Sequence, residues 1–114
     1  MQYSLMIYQT ADQFAGRDDA NTQAFGRFVG AMQEAGVLLV LLGIEAGEKG
    51  RMLRCGEGAS RVDAGPYADG KAQLGGLCVI EVPDLDAAVA WAKRAPLDRL
   101  AAIEVRPTRM VPIG

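Results

Sequence analysis

Histidine is absent from the 114 residues of the chain, and only 6% of them are aromatic. Without an imidazole there is no Ser-His-Asp or Cys-His nucleophile system and no histidine-based metal motif. The two cysteines, Cys55 and Cys78, form no C-x-x-C pair and lie in apolar strand-like segments. We therefore expect reduced, core-facing and functionally silent thiols, no metal site and no cofactor. Catalysis would have to use carboxylates, Tyr, Lys, Arg, Cys or backbone groups.

Long apolar runs and an excess of basic charge are also missing. The longest apolar run, residues 37–42, is far shorter than the roughly 20 residues that span a bilayer. The opening MQYSLMIYQT has neither the basic region nor the cleavage site of a secretory signal. A net charge of −2 argues against nucleic acid as a partner. These features predict a single cytoplasmic domain over residues 1–114, with no membrane or nucleic-acid partner.

Alternating apolar residues predict a first strand over residues 1–9, followed by a loop over residues 10–17. A carboxylate at Asp18 or Asp19 is suited to cap a helix, and Gly36 to end it in a left-handed conformation. That helix is amphipathic because its apolar residues recur at helical spacing. They are Phe25, Phe28, Val29 and Met32.

The remainder of the chain predicts five further strands and one more helix. Asp84 is suited to cap this helix, and Pro96 ends it. The glycine-rich segment 56–59 is suited to close a hairpin between the second and third of these strands. The predicted strands are residues 37–42, 51–55, 60–64, 74–82 and 101–106.

This order predicts an α+β fold, a ferredoxin-like split β-α-β sheet with an inserted hairpin and both helices on one face. Residues 37–42 and 77–80 are apolar on both strand faces, and the first of these runs is expected to be buried. The face of the sheet without helices would then expose apolar side chains to water unless another surface packed against it. We expect a homodimer in which the sheets of two subunits pack face to face.

The stretch GPYADGK has the G-x-x-x-x-G-K spacing of a phosphate-binding loop, but its context differs. Such a loop needs a helix directly after the lysine and a Ser or Thr for the metal. Here Lys71 is followed by Ala72 and then by a glycine pair and a β-branched run, which favours a strand. The pattern therefore predicts a rigid surface loop without nucleotide affinity.

We expect residues 63–76 to line a cleft, with Tyr67 as an aromatic wall and Asp63 or Lys71 as a polar contact for a small-molecule ligand. The paired glycines 75 and 76 entering a strand indicate a bulge or a close backbone approach. Charged residues within strands either face the cleft or reach water at strand ends. The candidate cleft residues are Asp63, Gly65, Pro66, Tyr67, Lys71, Gly75, Glu81, Glu104 and Arg106.

The run GPYADGKAQLGG, followed by LCVIEVPDLDAAVAWA and AIEVRP, resembles the DGPF branch of the YCII-related proteins, and the segments MQYSLMIY and EAGVL fit as well. The resemblance implies a dimeric α/β barrel and, since such proteins are often encoded beside sigma factors, a regulatory link to one. The family's Asp before Gly-Pro is Ala64 here, with Asp63 one place earlier, and Tyr67 replaces Phe. The His-Asp pair suggested as catalytic in the YCII branch cannot be carried over.

Two functions stay open. One is a ligand-binding or regulatory protein with a cleft near the GPYADGK loop. The alternative is a cofactor-free enzyme of the isomerase, lyase or oxygenase kind that uses Asp63, Tyr67 and Lys71 as acid-base groups. A deep pocket beside the loop favours the enzyme, and a shallow cleft with Asp63 and Lys71 paired at the surface favours the binding protein.

Overall fold

The computed structural model describes residues 1–65 and 72–114, with the backbone alone for Ala59. Six strands and three α-helices make up this part of the chain. The strands are β1 (Gln2–Thr10), β2 (Leu38–Gly43), β3 (Arg51–Gly56), β4 (Ala59–Ala64), β5 (Ala72–Glu81) and β6 (Ala102–Pro107). The helices are α1 (Ala11–Ala15), α2 (Asp19–Glu34) and α3 (Leu85–Ala92).

Four strands form an antiparallel sheet in the order β2-β5-β1-β6. With α2 and α3 as the two crossover helices, this is the ferredoxin-like arrangement that the element order predicted. Strands β3 and β4 pair only with each other and form a separate two-stranded sheet between β2 and β5 in the chain. The α+β class and the inserted hairpin are thereby confirmed.

The core lies between the sheet and the helices. Alternate residues of β1 point into it because successive side chains of a strand face opposite sides. The buried hydrophobic residues of the two central strands are Tyr3, Leu5, Ile7, Cys78 and Ile80, and they pack against Phe28 and Met32 of α2 and Ala88 and Ala92 of α3. The opposite face of the sheet carries no helix in the described residues.

Local signals in the sequence account for the helix ends. The Asp18 carboxylate accepts a hydrogen bond from the backbone N–H of Asn21 at 2.8 Å, and the Asp84 carboxylate caps α3 in the same way. Each such cap stabilises its helix by about 1 kcal/mol. Gly36 has a φ of +71° after α2, and Gly58 a φ of +69° in the turn between β3 and β4. All four assignments confirm the sequence predictions.

Residues 10–17 were predicted to be a loop, and this prediction is wrong because they contain α1. Thr10 and Gln13 form a reciprocal capping box. The Thr10 hydroxyl accepts from the Gln13 N–H at 3.2 Å, and the Gln13 side chain accepts from the Thr10 N–H at 2.9 Å. Two satisfied backbone donors stabilise even this short helix.

Strand β2 is correctly predicted as a strand but not as a buried one. It lies at the edge of the sheet, with a register shift between Leu38 and Val40. Residues 39–42 are exposed, each between 41% and 51%. An edge strand has a neighbour on one side only, so these side chains remain uncovered in the isolated subunit.

The two cysteines differ in environment. Cys78 is fully buried in the core, as predicted, and burial raises the pKa of its thiol to about 11. Cys55 is exposed, so the prediction that it faces the core is wrong. The reason is that β3 belongs to the separate hairpin, which has no helix layer above it in the described residues.

Thiol labelling should therefore detect one rapidly reacting cysteine in the native chain. At pH 8 about one in a thousand Cys78 thiols is ionised, and that sulfur is shielded, whereas Cys55 is accessible to reagent. An aromatic disulfide reagent should modify one thiol per chain within minutes and the second only after unfolding. Cys55→Ser should abolish the fast phase. A fast phase that persists in this variant would contradict the burial of Cys78.

Within the described ranges, none of the helices is long and apolar enough to cross a membrane.

Candidate functional site

A cleft of about 300 Å³ opens between α2 and the end of the sheet where β2 and β5 meet. We call it the α2 cleft. Its volume is at the lower end of the range found for small-molecule sites. Its apolar walls are Ile7, Phe25, Val29 and Leu41, and its polar side chains are Gln9, Arg17, Asn21 and Thr22. Leu42 and glycines 43, 75 and 76 complete the lining, although the Leu42 side chain itself lies on the opposite face of the sheet, beside Leu77.

Gly75 allows two polar side chains to approach the backbone of β5. A Cβ atom at this position would lie 2.7 Å from Gln9 Oε1, 2.8 Å from Arg17 Nη2 and 3.1 Å from the Phe14 ring. The first two distances are shorter than real Cβ contacts, so any other residue here would displace the ends of the Gln9 and Arg17 side chains. The β1–β5 register also shifts beside it, between Ile7 and Tyr8. The glycine pair thus marks both a bulge and a close approach, as the sequence indicated.

Gln9 holds Arg17 in the cleft. The Gln9 side chain is 2% exposed, and its Nε2 donates to the carbonyl of Arg99 at 3.3 Å, which turns Oε1 toward Arg17. This oxygen accepts from Arg17 Nε at 3.1 Å and also from Nη2. Nη2 donates in addition to the carbonyl of Gly75 at 3.0 Å, and the guanidinium lies 4.4 Å from the centre of the Phe14 ring.

The charge of Arg17 is not neutralised by the part of the protein that the structure describes. Its hydrogen-bond acceptors are the Gln9 amide and the carbonyls of Gly75 and Ile44, all uncharged. No described carboxylate forms an ion pair with it. Asn21 is 8% exposed, and its side chain has no hydrogen bond to another described residue. The cleft therefore combines a positive charge and an unpaired amide with apolar walls.

Of the predicted cleft residues, Gly75 alone among those described lines the α2 cleft. Asp63 lies in the hairpin, where its carboxylate accepts from Arg54 Nε at 2.8 Å and from Arg61 Nε at 3.0 Å. Gly65 packs against the turn Gly47–Lys49, since a Cβ there would lie 2.7 Å from the Gly47 carbonyl oxygen. Pro66, Tyr67 and Lys71, which were also predicted to line the cleft, lie outside the described residues.

The charged strand residues lie elsewhere. Glu81 is exposed at the opposite end of β5 and pairs with the N-terminal ammonium at 3.2 Å. Glu104 and Arg106 are exposed on β6, and Glu104 accepts from the Tyr8 hydroxyl at 3.3 Å. The pKa of Tyr8 is raised, first by partial burial and then by the negative charge of Glu104. The structure does not bring these residues together with Gly75.

The segment that follows the GPYADGK stretch is β5, beginning at Ala72. A strand therefore stands where a phosphate-binding loop needs the N-terminus of a helix. Among residues 1–65 and 72–114 no three metal-binding side chains cluster.

Sequence reasoning missed Gln9, Arg17 and Asn21. Gln9 had a usable signal, because it continues the buried positions Tyr3, Leu5 and Ile7 of β1, and a polar residue in that series needs a partner. Arg17 and Asn21 had no comparable signal, since their places depend on how α2 packs against the sheet.

The sequence profile of the YCII-related domain matches residues 1–111. The chain belongs to the YCII-related family. This confirms the resemblance at the family level, while the DGPF branch stays a prediction. None of the curated proteins compared with this chain matches it.

A solved structure with a similar fold is 5-chloro-2-hydroxyhydroquinone dehydrochlorinase (TftG) from Burkholderia phenoliruptrix AC1100, in complex with 2,5-dihydroxybenzoquinone. The TM-score is 0.55 at 13% sequence identity, and the match covers 96% of this chain and 94% of that chain. At this identity the similarity concerns the fold alone.

Proposed function

We propose that this YCII-related protein binds a small anionic molecule with a flat apolar body in the α2 cleft. The observation that carries the proposal is Arg17, a guanidinium whose acceptors among residues 1–65 and 72–114 are all uncharged, next to the Asn21 amide, which has no partner in the same ranges. Such a guanidinium is oriented before the ligand arrives, which lowers the cost of binding. A carboxylate or enolate of the ligand would supply the missing negative charge.

The walls of the cleft suit a ring. Burying about 150 Å² of apolar ring surface contributes about 4 kcal/mol, and a charge-assisted hydrogen bond adds about 1.5–3 kcal/mol before the cost of association. The dehydrochlorinase of similar fold holds 2,5-dihydroxybenzoquinone, a planar ring with oxygen substituents. Hydroxylated aromatic acids and hydroxyquinones are therefore the first compounds to test.

The alternative is a cofactor-free isomerase, lyase or oxygenase. Such an enzyme needs a general base in the cleft. The described residues that line it include no carboxylate, lysine, tyrosine or cysteine, and Asp63 is engaged by two arginines in the hairpin. The base would have to come from Tyr67, Asp69 or Lys71. The described geometry thus favours binding over catalysis.

We also propose that the protein is a homodimer in which the open sheet faces pack together as a dimeric α/β barrel. The open face carries apolar side chains that water would otherwise surround, at residues 6, 40, 42, 77 and 79. The α2 cleft lies on the helix side and stays accessible in such a dimer. A cytoplasmic location and a regulatory link to a sigma factor belong to the same proposal.

Calorimetry with 2,5-dihydroxybenzoate and its uncharged methyl ester tests the binding proposal. The acid should bind at least tenfold more tightly than the ester, a difference of about 1.4 kcal/mol, because only the acid offers a charge to Arg17. Arg17→Gln should remove this preference. Arg109→Gln, which alters an exposed arginine outside the cleft, should retain it. Equal affinities for acid and ester, or no binding of either compound, would refute the proposal.

A further inference from the structure

A second groove, of about 550 Å³, runs along the other side of α2, between this helix and the segment that follows α3. We call it the arginine groove. On the α2 side it is lined by three alanines together with Gln23, Arg27 and the buried Phe28, and on the other side by Pro96 and charged residues. The lining residues used below are Ala20, Ala24, Ala31, Arg27, Arg94 and Arg99.

The groove is positively charged although the chain as a whole carries a net charge of −2. Its three arginines face one lining carboxylate, that of Asp98. Arg27 and Arg94 form no ion pair with a described residue. The Arg94 guanidinium is positioned over the Trp91 ring, 4.4 Å from its centre.

Arg99 is only loosely neutralised. Its Nη1 lies 3.8 Å from Asp18 Oδ1, and the same oxygen already accepts the capping hydrogen bond from the Asn21 N–H. This ion pair is long and its carboxylate is exposed, so solvent screens it and a closer carboxylate would compete for the arginine. Negative charge brought into the groove would therefore meet three guanidinium groups and two carboxylates, those of Asp98 and Asp18.

We propose that the arginine groove binds an acidic segment of a partner protein. Carboxylates of the segment pair with Arg27 and Arg94, and its small apolar side chains lie on the alanines of α2. Residues 20 to 31 of a helix span about 16 Å, the length of about five extended residues or three helical turns. A groove of this length, with alanines beside its arginines, suits a peptide better than a single small anion, which would occupy only one end.

The arginine groove and the α2 cleft lie on opposite sides of α2 and share none of their lining residues. The groove is on the helix side of the sheet, so a dimer formed through the open sheet faces leaves it free. The two ligands would therefore occupy separate sites without overlapping.

Fluorescence anisotropy with a labelled helical peptide, EALEEALAELEE, tests the proposal at 50 and 200 mM NaCl. A peptide in which every Glu is replaced by Gln is the uncharged control. The Glu peptide should bind at least tenfold more tightly than the Gln peptide, and its affinity should fall at the higher salt. Arg27→Gln combined with Arg94→Gln should weaken its binding at least tenfold. Arg109→Gln, with the same type of charge change elsewhere, should weaken it less than twofold.

Equal binding of the two peptides, or unchanged affinity in the double variant, would overturn the proposal. Inorganic triphosphate that binds more tightly than the peptide, and loses affinity in the same variant, would overturn it in favour of a small-polyanion site. Both arginines are exposed, so the double variant should fold. An unchanged circular dichroism spectrum and melting temperature would show that the double variant is folded. If the double variant does not fold, the affinity of Arg27→Gln alone should lie between those of the original chain and a chain without both charges.

Discussion

Gly75→Ala should abolish binding of 2,5-dihydroxybenzoate in the α2 cleft. The added Cβ would lie within 2.8 Å of Gln9 Oε1 and of Arg17 Nη2, and at 3.1 Å from the Phe14 ring. The ends of the Gln9 and Arg17 side chains would have to withdraw from the backbone of β5, which breaks the contacts that orient the guanidinium. We expect a loss of affinity of at least 30-fold, about 2 kcal/mol, together with about 1–3 kcal/mol of destabilisation from overpacking.

Gly26→Ala is the matched control for this substitution. Gly26 lies in α2 outside the cleft, and a Cβ there would meet nothing within 4 Å. Alanine should stabilise the helix by up to about 1 kcal/mol and leave binding unchanged. Calorimetry and denaturant unfolding of both variants provide the measurements. If Gly75→Ala bound the acid as tightly as the original chain, the α2 cleft would not be the ligand site.

Val79→Asp should convert the proposed dimer into a monomer. Val79 lies between Cys78 and Ile80, both fully buried beneath the helices, so its side chain points to the open face of the sheet. In a dimer that packs two open faces together, each subunit would bury an unpaired carboxylate at a cost of several kcal/mol. The dissociation constant should rise at least 100-fold.

Light scattering coupled to size exclusion, over a range of micromolar concentrations, measures this change. Leu85→Asp introduces the same charge at an exposed apolar residue on the helix side, at the start of α3, where a carboxylate suits the helix dipole. That variant should remain dimeric. A stable folded monomer before any substitution, or a dimer that survives Val79→Asp, would disprove the arrangement.

Much of the fold follows from interactions between residues close in the sequence. The caps at Asp18 and Asp84, the positive φ of Gly36 and Gly58, and the period of two along β1 need only neighbouring residues, and each was predicted. Helix α1 was missed although its Thr10–Gln13 capping box is equally local. The sequence therefore contained a signal for this helix, although a loop was predicted over residues 10–17.

The errors in burial have another cause. Residues 37–42 and the segment around Cys55 are apolar, and apolar strands are usually covered. Whether a strand is central, at an edge or in a separate hairpin depends on its pairing with distant segments. That pairing places β2 at the sheet edge and β3 outside the main sheet.

The sequence by itself determined the order of the strands and of helices α2 and α3, the family, and a bulge or close approach at glycines 75 and 76, because these depend on local conformation and residue pattern. Only the tertiary structure decided where the charge of the candidate site lies. Arg17 and the carbonyl of Gly75 are 58 residues apart in the chain, and buried Gln9 joins them. Contacts between residues so far apart in the sequence form when α2 packs on the sheet and buries its apolar face, so no local sequence pattern predicts them.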